Sequence, residues 1–349
     1  MHYIKWFAII ALFVACKKEA LPEDETPRSL KNGLLVLNEG LFQQNNSALT
    51  WIDLEDNSTT SSLFLNINNR PLGDTGNDLK RYGGKVYVVM NGSSKVEVMN
   101  AYTLESIKQV SLTYSQQGQQ PRSIAFSGSK AYISSYDGFV NILDTTSLVI
   151  TDRIAVGNNP EGLTTHGNYL YVANSGGLNF PNVDSTVHQI NLNTKEVENS
   201  FHVGANPGQV ESDSQGNIYV VKRGNYGNDP SELVYINTGS NTVTQLDVPA
   251  TSLHKKGELL YISYLDYNTQ QSSLALYDLS NQTLVNNSLI AAGSIQTLYG
   301  IYAFENGDFM CFDAQGFTNS GYLKRFNSSG NLLNSISAGL NPNKLIHYE

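Results

Sequence analysis

The chain has 349 residues, 40% of them hydrophobic and 15% charged, with 29 Gly, 20 Tyr and a formal charge of −9. An acidic balance argues against a nucleic-acid partner, whose phosphates demand a basic surface. Low charge with abundant Gly, Asn, Ser and Tyr points away from helices and toward short strands joined by tight turns, and closed all-β folds of this length routinely form one domain.

Residues 1–15 read as a signal peptide. Lys5 supplies a positive start, and the apolar run from Trp6 to Ala15 is too short to span a bilayer. The run ends in Phe13-Val14-Ala15-Cys16, which resembles a bacterial lipobox with Phe13 where Leu is usual. The resemblance implies that Cys16 is lipidated, becomes the mature N-terminus and anchors the chain to a membrane. Cys311 is then the one remaining cysteine, so an intramolecular disulfide cannot form despite an oxidising compartment. Residues 16–32 are polar, with Pro22, Pro27 and the acidic run Glu23-Asp24-Glu25, and read as a flexible tether. Acidic residues soon after a lipidated cysteine resemble the surface-export signals of Bacteroidetes-type lipoproteins, although Lys17-Lys18 intervene here. The expected address is the outer membrane, lipid-anchored and facing the cell surface.

From residue 33 onward the sequence repeats. A strand with an aromatic or large apolar centre recurs seven times: Leu34-Leu35-Val36, Val86-Tyr87-Val88, Ala131-Tyr132-Ile133, Leu170-Tyr171-Val172, Ile218-Tyr219-Val220, Leu260-Tyr261-Ile262 and Phe309-Met310-Cys311. Each is followed by a strand ending in Asp or Asn, at Asp53, Asn100, Asp144, Asn191, Asn237, Asp278 and Asn327. From Asp53 to Asn327 is 274 residues over six intervals, a period of about 46, which holds four short strands and therefore one propeller blade. The Asp/Asn side chains are expected to cap the turn into the outermost strand by bonding the backbone two residues on. Pro71, Pro121, Pro160, Pro207, Pro249 and Pro342, with Leu298 in the missing place, are expected to open the next unit, where a missing N–H breaks no ladder bond.

These spacings predict an all-β, seven-bladed propeller of four-stranded antiparallel blades over residues 33–349. The chain starts at a second strand and ends at an innermost one, so Lys344 to Tyr348 should pair beside Leu34 to Leu37 and close the ring. The Tyr-Val strands, the Asp/Asn turns and the Gly-x-Asn-Pro connections (Gly157 to Pro160, Gly204 to Pro207, Gly339 to Pro342) are similar to the YncE-like, surface-layer-type propellers. That resemblance covers residues 33–349 and implies architecture, since such propellers host many activities.

Propeller geometry sorts the loops onto two faces. The turns between first and second strands are minimal, as in Ser127-Gly128-Ser129 or Asn306-Gly307-Asp308. On the other face, residues 38–47, 174–185, 222–231, 264–273 and 312–321 form second-to-third loops of about ten residues, although the fold can close with three. Phe42, Phe180, Arg223, Tyr226, Tyr264, Tyr267 and Phe317 lie in these loops, with Tyr136 in a short one, and are the expected ligand-binding face. The innermost-strand connections open onto the same face and should place Asp74, Arg122, Glu161, Gln209, Tyr299 and Lys344 at the channel mouth.

Enzyme signals are weak, and no catalytic, metal or cofactor residue is assigned. His166, His188, His202, His254 and His347 fall in different strands without metal-ligand spacing, and Asp74-Thr75-Gly76-Asn77-Asp78 reads as a turn. Ser127-Gly128-Ser129-Lys130 matches Ser-x-x-Lys by chance, in a hairpin turn. The expectation is a non-catalytic surface lipoprotein that captures a ligand on the long-loop face. In lipobox, blade count and loop asymmetry the chain resembles Bacteroidetes propeller lipoproteins that grip cobalamin and pass it to a TonB-dependent transporter. A small-molecule nutrient or cofactor, such a transporter, or another envelope protein is thus the implied partner. The alternatives are a protein–protein interaction scaffold in an envelope complex and, third, a propeller enzyme of the lactonase or quinoprotein-like kind.

Overall fold

A computed structural model describes residues 30–266 and 269–349; the signal sequence, Cys16, the tether up to residue 29 and Tyr267 lie outside the described residues. Seven four-stranded antiparallel sheets form the seven blades. Their innermost strands are Pro342–Tyr348, Gly76–Tyr82, Pro121–Ser127, Pro160–His166, Pro207–Ser212, Ser252–Lys256 and Leu298–Ala303, for blades 1 to 7 in order. The C-terminal strand completes blade 1 in the expected register, with Leu34 opposite His347, Val36 opposite Leu345 and Leu37 opposite Lys344. The two ends of the chain therefore occupy one sheet, and neither leaves an open edge.

The second strands are buried along almost their whole length, as in Lys85–Met90, Tyr169–Asn174 and Ile218–Lys222. Blades cover them from both sides, which is why they read as continuous apolar runs rather than alternating ones. The core is accordingly divided into seven clusters, one per blade interface. Between blades 5 and 6, for example, Tyr219 meets Tyr235 at 5.1 Å and Tyr277 at 5.9 Å between ring centroids. Each fully buried ring of this kind contributes about 2 kcal/mol through burial.

All seven Asp/Asn caps form. The side-chain oxygens of Asp53, Asn100, Asp144, Asn191, Asn237, Asp278 and Asn327 each accept the backbone N–H two residues on, at 2.8–3.1 Å. Four of the six prolines open innermost strands; Pro71 instead precedes its strand by five residues and Pro249 ends an outermost one. In the Gly-x-Asn-Pro connections, Asn159, Asn206 and Asn341 adopt positive φ (44°, 58° and 56°). Their amides reach across to the long-loop face, donating to the Tyr136 carbonyl, the Tyr226 hydroxyl and the Gly40 carbonyl.

Three features depart from a uniform repeat. Blade 1 has a two-residue outermost strand, Thr59–Thr60, followed by a short helix, Leu63–Asn68. That helix is held by tertiary contacts: Phe64 is buried and Asn68 exchanges hydrogen bonds with the Leu104 carbonyl and the Ser106 N–H. A hairpin pairing Thr113–Tyr114 with Gln117–Gly118 is inserted between blades 2 and 3. In blade 6 the segment 264–273 is no ten-residue loop, because the ladder continues through Tyr264↔Ser273, Leu265↔Ser272 and Asp266↔Gln271.

Candidate functional site at the channel mouth

The innermost strands all begin on the face that carries the long loops, so their first side chains converge there. They enclose a cavity of about 320 Å³ at the mouth of the central channel. Arg122, Glu161, Gln209, Tyr299 and Lys344 line it, and three residues of the loop set, Arg223, Tyr226 and Phe317, complete its wall. Members of both groups of residues singled out in the sequence therefore meet in one place.

Glu161 is the centre of the mouth. Its carboxylate accepts Arg122 Nε at 3.0 Å and Nη2 at 3.3 Å, Arg223 Nη1 at 3.2 Å, and the Tyr136 hydroxyl. These partners come from blades 3 and 5, so one carboxylate ties three blades together. Arg122 also donates to Asn77 of blade 2 at 2.9 Å and lies over the Tyr136 ring at 4.8 Å. Burial by itself would raise the Glu161 carboxyl, but the charges of Arg122 and Arg223 and the Tyr136 hydrogen bond outweigh it and hold it at about 2. The same carboxylate, together with burial, pushes the Tyr136 phenol up.

Arg223 reaches Glu161 because the chain beneath it is glycine. A Cβ on Gly208 would stand 2.9 Å from the Arg223 Cζ and Nε atoms. Gly162, beside Glu161, similarly allows the innermost strands of blades 4 and 5 to approach, since its Cβ would meet the Gly208 carbonyl oxygen at 2.7 Å. At the base of the blade-5 loop, Lys222 is 2% exposed and pairs with Asp229 at 2.8 Å and with Glu232, fixing both ends of the loop that presents Arg223 and Tyr226.

A second carboxylate pair closes the ring seam. Tyr299 of blade 7 donates to Glu39 of blade 1, and Asn343 donates to the same oxygen at 3.4 Å and to the Gly76 carbonyl at 2.7 Å. Burial raises the Glu39 carboxyl, only partly opposed by Tyr299 and Arg122. Tyr299 also meets Phe317 edge to face at 5.2 Å. Gln209 accepts the Leu253 N–H at 2.6 Å, linking blades 5 and 6.

The remaining expected residues separate. Phe42, Phe180 and Tyr226 are 63%, 56% and 62% exposed on the rim, where Phe180 and Tyr226 lie 6.2 Å apart. Tyr264 belongs to a strand. Asp74 lies outside the cavity wall and instead accepts the Gln43 N–H at 3.2 Å and the Thr75 hydroxyl at 2.7 Å, bracing the blade-1 loop against blade 2. Glu39, Asn77 and Asn343 were not singled out in the sequence. Glu39 had a signal: it directly follows a second strand, as Tyr136 and Arg223 do, and all three turn toward the mouth.

Deeper in the channel a second cavity of about 260 Å³ is lined by Asp78, Lys80, Glu211, His254, Lys255 and again Lys344. Asp78 accepts Ile124 N–H and the Ser123 hydroxyl, both at 3.0 Å. His254 Nε2 accepts the Ala303 N–H at 3.2 Å, and burial with nearby Lys344 and Lys256 lowers the ring to about 4. Among the described residues no group of three or more His, Cys, Asp or Glu is placed to hold a metal ion, and no helix is long and apolar enough to cross a membrane.

A family model described as "Domain of unknown function (DUF5074)" matches residues 32–258, well over half of the chain. No curated protein matches it. Among solved structures, a quinonprotein alcohol dehydrogenase-like protein from Bacteroides thetaiotaomicron is 13% identical, covering 91% of this chain and 79% of that one, with a TM-score of 0.66. Hydrazine synthase of Kuenenia stuttgartiensis is 15% identical over 74% of this chain and 85% of that one, with a TM-score of 0.59. Dihydro-heme d1 dehydrogenase NirN is 10% identical over 90% and 75%, with a TM-score of 0.57. At such identities the likeness is one of fold.

Proposed function

The chain belongs to the DUF5074 family, and on that premise we propose that it is a non-catalytic surface lipoprotein that captures a ligand on the long-loop face of its propeller. The observation that carries this reading is the convergence of Arg122, Glu161, Arg223, Tyr226, Tyr299 and Phe317 on one open cavity. Arg122, Arg223 and Glu161 fix one another across blades, which suits a preformed binding site rather than a chemical one. Exposed aromatic rings at the rim add rigid contact area at low entropic cost.

In this reading Cys16 carries the lipid, the acidic tether holds the propeller off the outer membrane, and the face presents a nutrient or cofactor to a TonB-dependent transporter. Cobalamin is one example of the ligand class. Isothermal titration of the purified chain with cobalamin, haem and oligosaccharides tests it. Binding of any one supports capture. Absence of binding by a folded protein, with a stoichiometric protein partner recovered from membranes through a tag at Glu349, would instead make the same face a docking scaffold.

A further inference from the structure

We propose that the channel mouth is an oxyanion receptor, in which Arg122, Arg223 and Lys344 hold a carboxylate or phosphoryl group of the ligand. This rests on the binding face proposed above and narrows what it takes.

The charge balance is the first argument. Three cations line the mouth cavity, and Glu161 is the one carboxylate in its wall. The cavity wall thus carries a formal charge of about +2, or about +1 with Glu39, which bonds the wall residues Tyr299 and Asn343, in a chain whose total is −9, and a concave site of one sign concentrates the field on its ligand. The deeper cavity does not cancel it, because Lys80 and Lys255 stand there against Asp78 and Glu211.

The second argument is donor capacity. Glu161 takes two N–H groups of Arg122 and one of Arg223, and Asn77 takes a third from Arg122. A guanidinium has five. Among the described residues the Arg223 side chain has no other hydrogen-bond acceptor and the Lys344 side chain makes no hydrogen bond or ion pair, yet both residues border the cavity. Two guanidiniums held side by side by one carboxylate offer a rigid fork that matches the oxygens of a carboxylate or phosphate. Tyr226 and Phe317 flank the position with apolar surface, and the hydroxyls of Thr251 and Ser252 lie on the same wall.

The test is calorimetric titration of the purified chain with inorganic phosphate and, separately, citrate, at ionic strength balanced with chloride. It is repeated on Arg223→Gln and Lys344→Gln, with circular dichroism checking the fold. At least one anion should bind, about ten-fold more weakly in each variant, the loss of one charge-assisted contact. Affinity should also fall as salt is added. Binding of phosphate alone assigns a phosphoryl group, and binding of citrate alone a carboxylate. Binding of neither anion, or unchanged affinity in both folded variants, overturns the inference. If in that case cobalamin, haem or an oligosaccharide still binds the wild-type chain, the binding face stands and its oxyanion preference falls; if nothing binds, both fall.

Discussion

Replacing Glu161 by Gln should remove a charge whose worth can be worked from the structure. The carboxyl lies at about 2 in the folded chain against an ordinary value of 4.5. At about 1.4 kcal/mol for each tenfold change in acidity constant, this is worth about 3 kcal/mol. Glu161 is 6% exposed, so solvent screening takes little from that figure. Because the folded value is depressed, the stabilisation is fully present above pH 4.5 and is lost as the pH falls toward about 2. Urea unfolding at pH 7 should therefore show Glu161→Gln less stable by about 3 kcal/mol, or roughly 4 °C in Tm for a chain of this size. The gap to wild type should narrow steadily between pH 4.5 and 2.5. A gap that stays constant over that range would show that packing, not the ionised carboxylate, ties the three blades. No gap at pH 7 would refute the argument altogether.

Other parts of the account can be checked singly. Gly208→Ala should push the Arg223 guanidinium off Glu161, because its Cβ would stand 2.9 Å from Cζ; ligand affinity should fall at least as far as in Arg223→Gln while the circular dichroism spectrum stays unchanged. Cys311 is fully buried and burial pushes its thiol up, so it should resist a thiol reagent at pH 8 and react completely in 6 M guanidinium. His254 accepts the Ala303 N–H and its ring is lowered to about 4. Its contribution to stability should be full above pH 6.5 and lost as the pH falls toward 4, and its NMR signals should remain those of neutral imidazole at pH 5.5. Deleting residues 342–349 removes the innermost strand of blade 1; the truncated chain should lose its cooperative thermal transition, and retention of a wild-type Tm would contradict ring closure by that strand.

The fold was legible because each blade repeats the same local chemistry. A buried second strand gives an apolar run, with a Tyr or Phe in it in every blade but the first, and the Asp/Asn cap is a contact within three residues, so neither depends on distant parts of the chain. The helix Leu63–Asn68 was hidden for the opposite reason. Ser62 makes no side-chain cap bond, and the segment is held by Phe64 burial and by the Arg70–Glu97 pair at 2.7 Å, both contacts with residues far away in sequence. Pro249 misled because one proline can end an outermost strand as readily as it opens an innermost one.

The site was half legible. Position in the innermost strand marked Arg122, Glu161 and Tyr299, since every such strand delivers its first side chains to the channel. Loop length marked residues 38–47 but could not say which side chain turns inward, and the aromatic Phe42 drew attention while Glu39 does the bonding. Tyr264 shows the reverse error: a polar, aromatic stretch looks like a loop, yet its backbone continues the ladder and its neighbours Leu265 and Ser272 are buried. Tyr136 and Arg223 each directly follow a second strand and turn toward the mouth, and extending that position to blade 1 would have found Glu39, but the inference needs the ring, not the strand.

The central claim is that the long-loop face is where this protein binds. The most direct measurement is titration of whichever of cobalamin, haem or an oligosaccharide binds the wild-type chain against two variants. One is Tyr226→Ala with Phe317→Ala, at the mouth; the other is Glu305→Ala, exposed on the opposite face. Binding should be at least ten-fold weaker in the first and unchanged in the second. Unchanged binding in the first, with the fold intact, would contradict it.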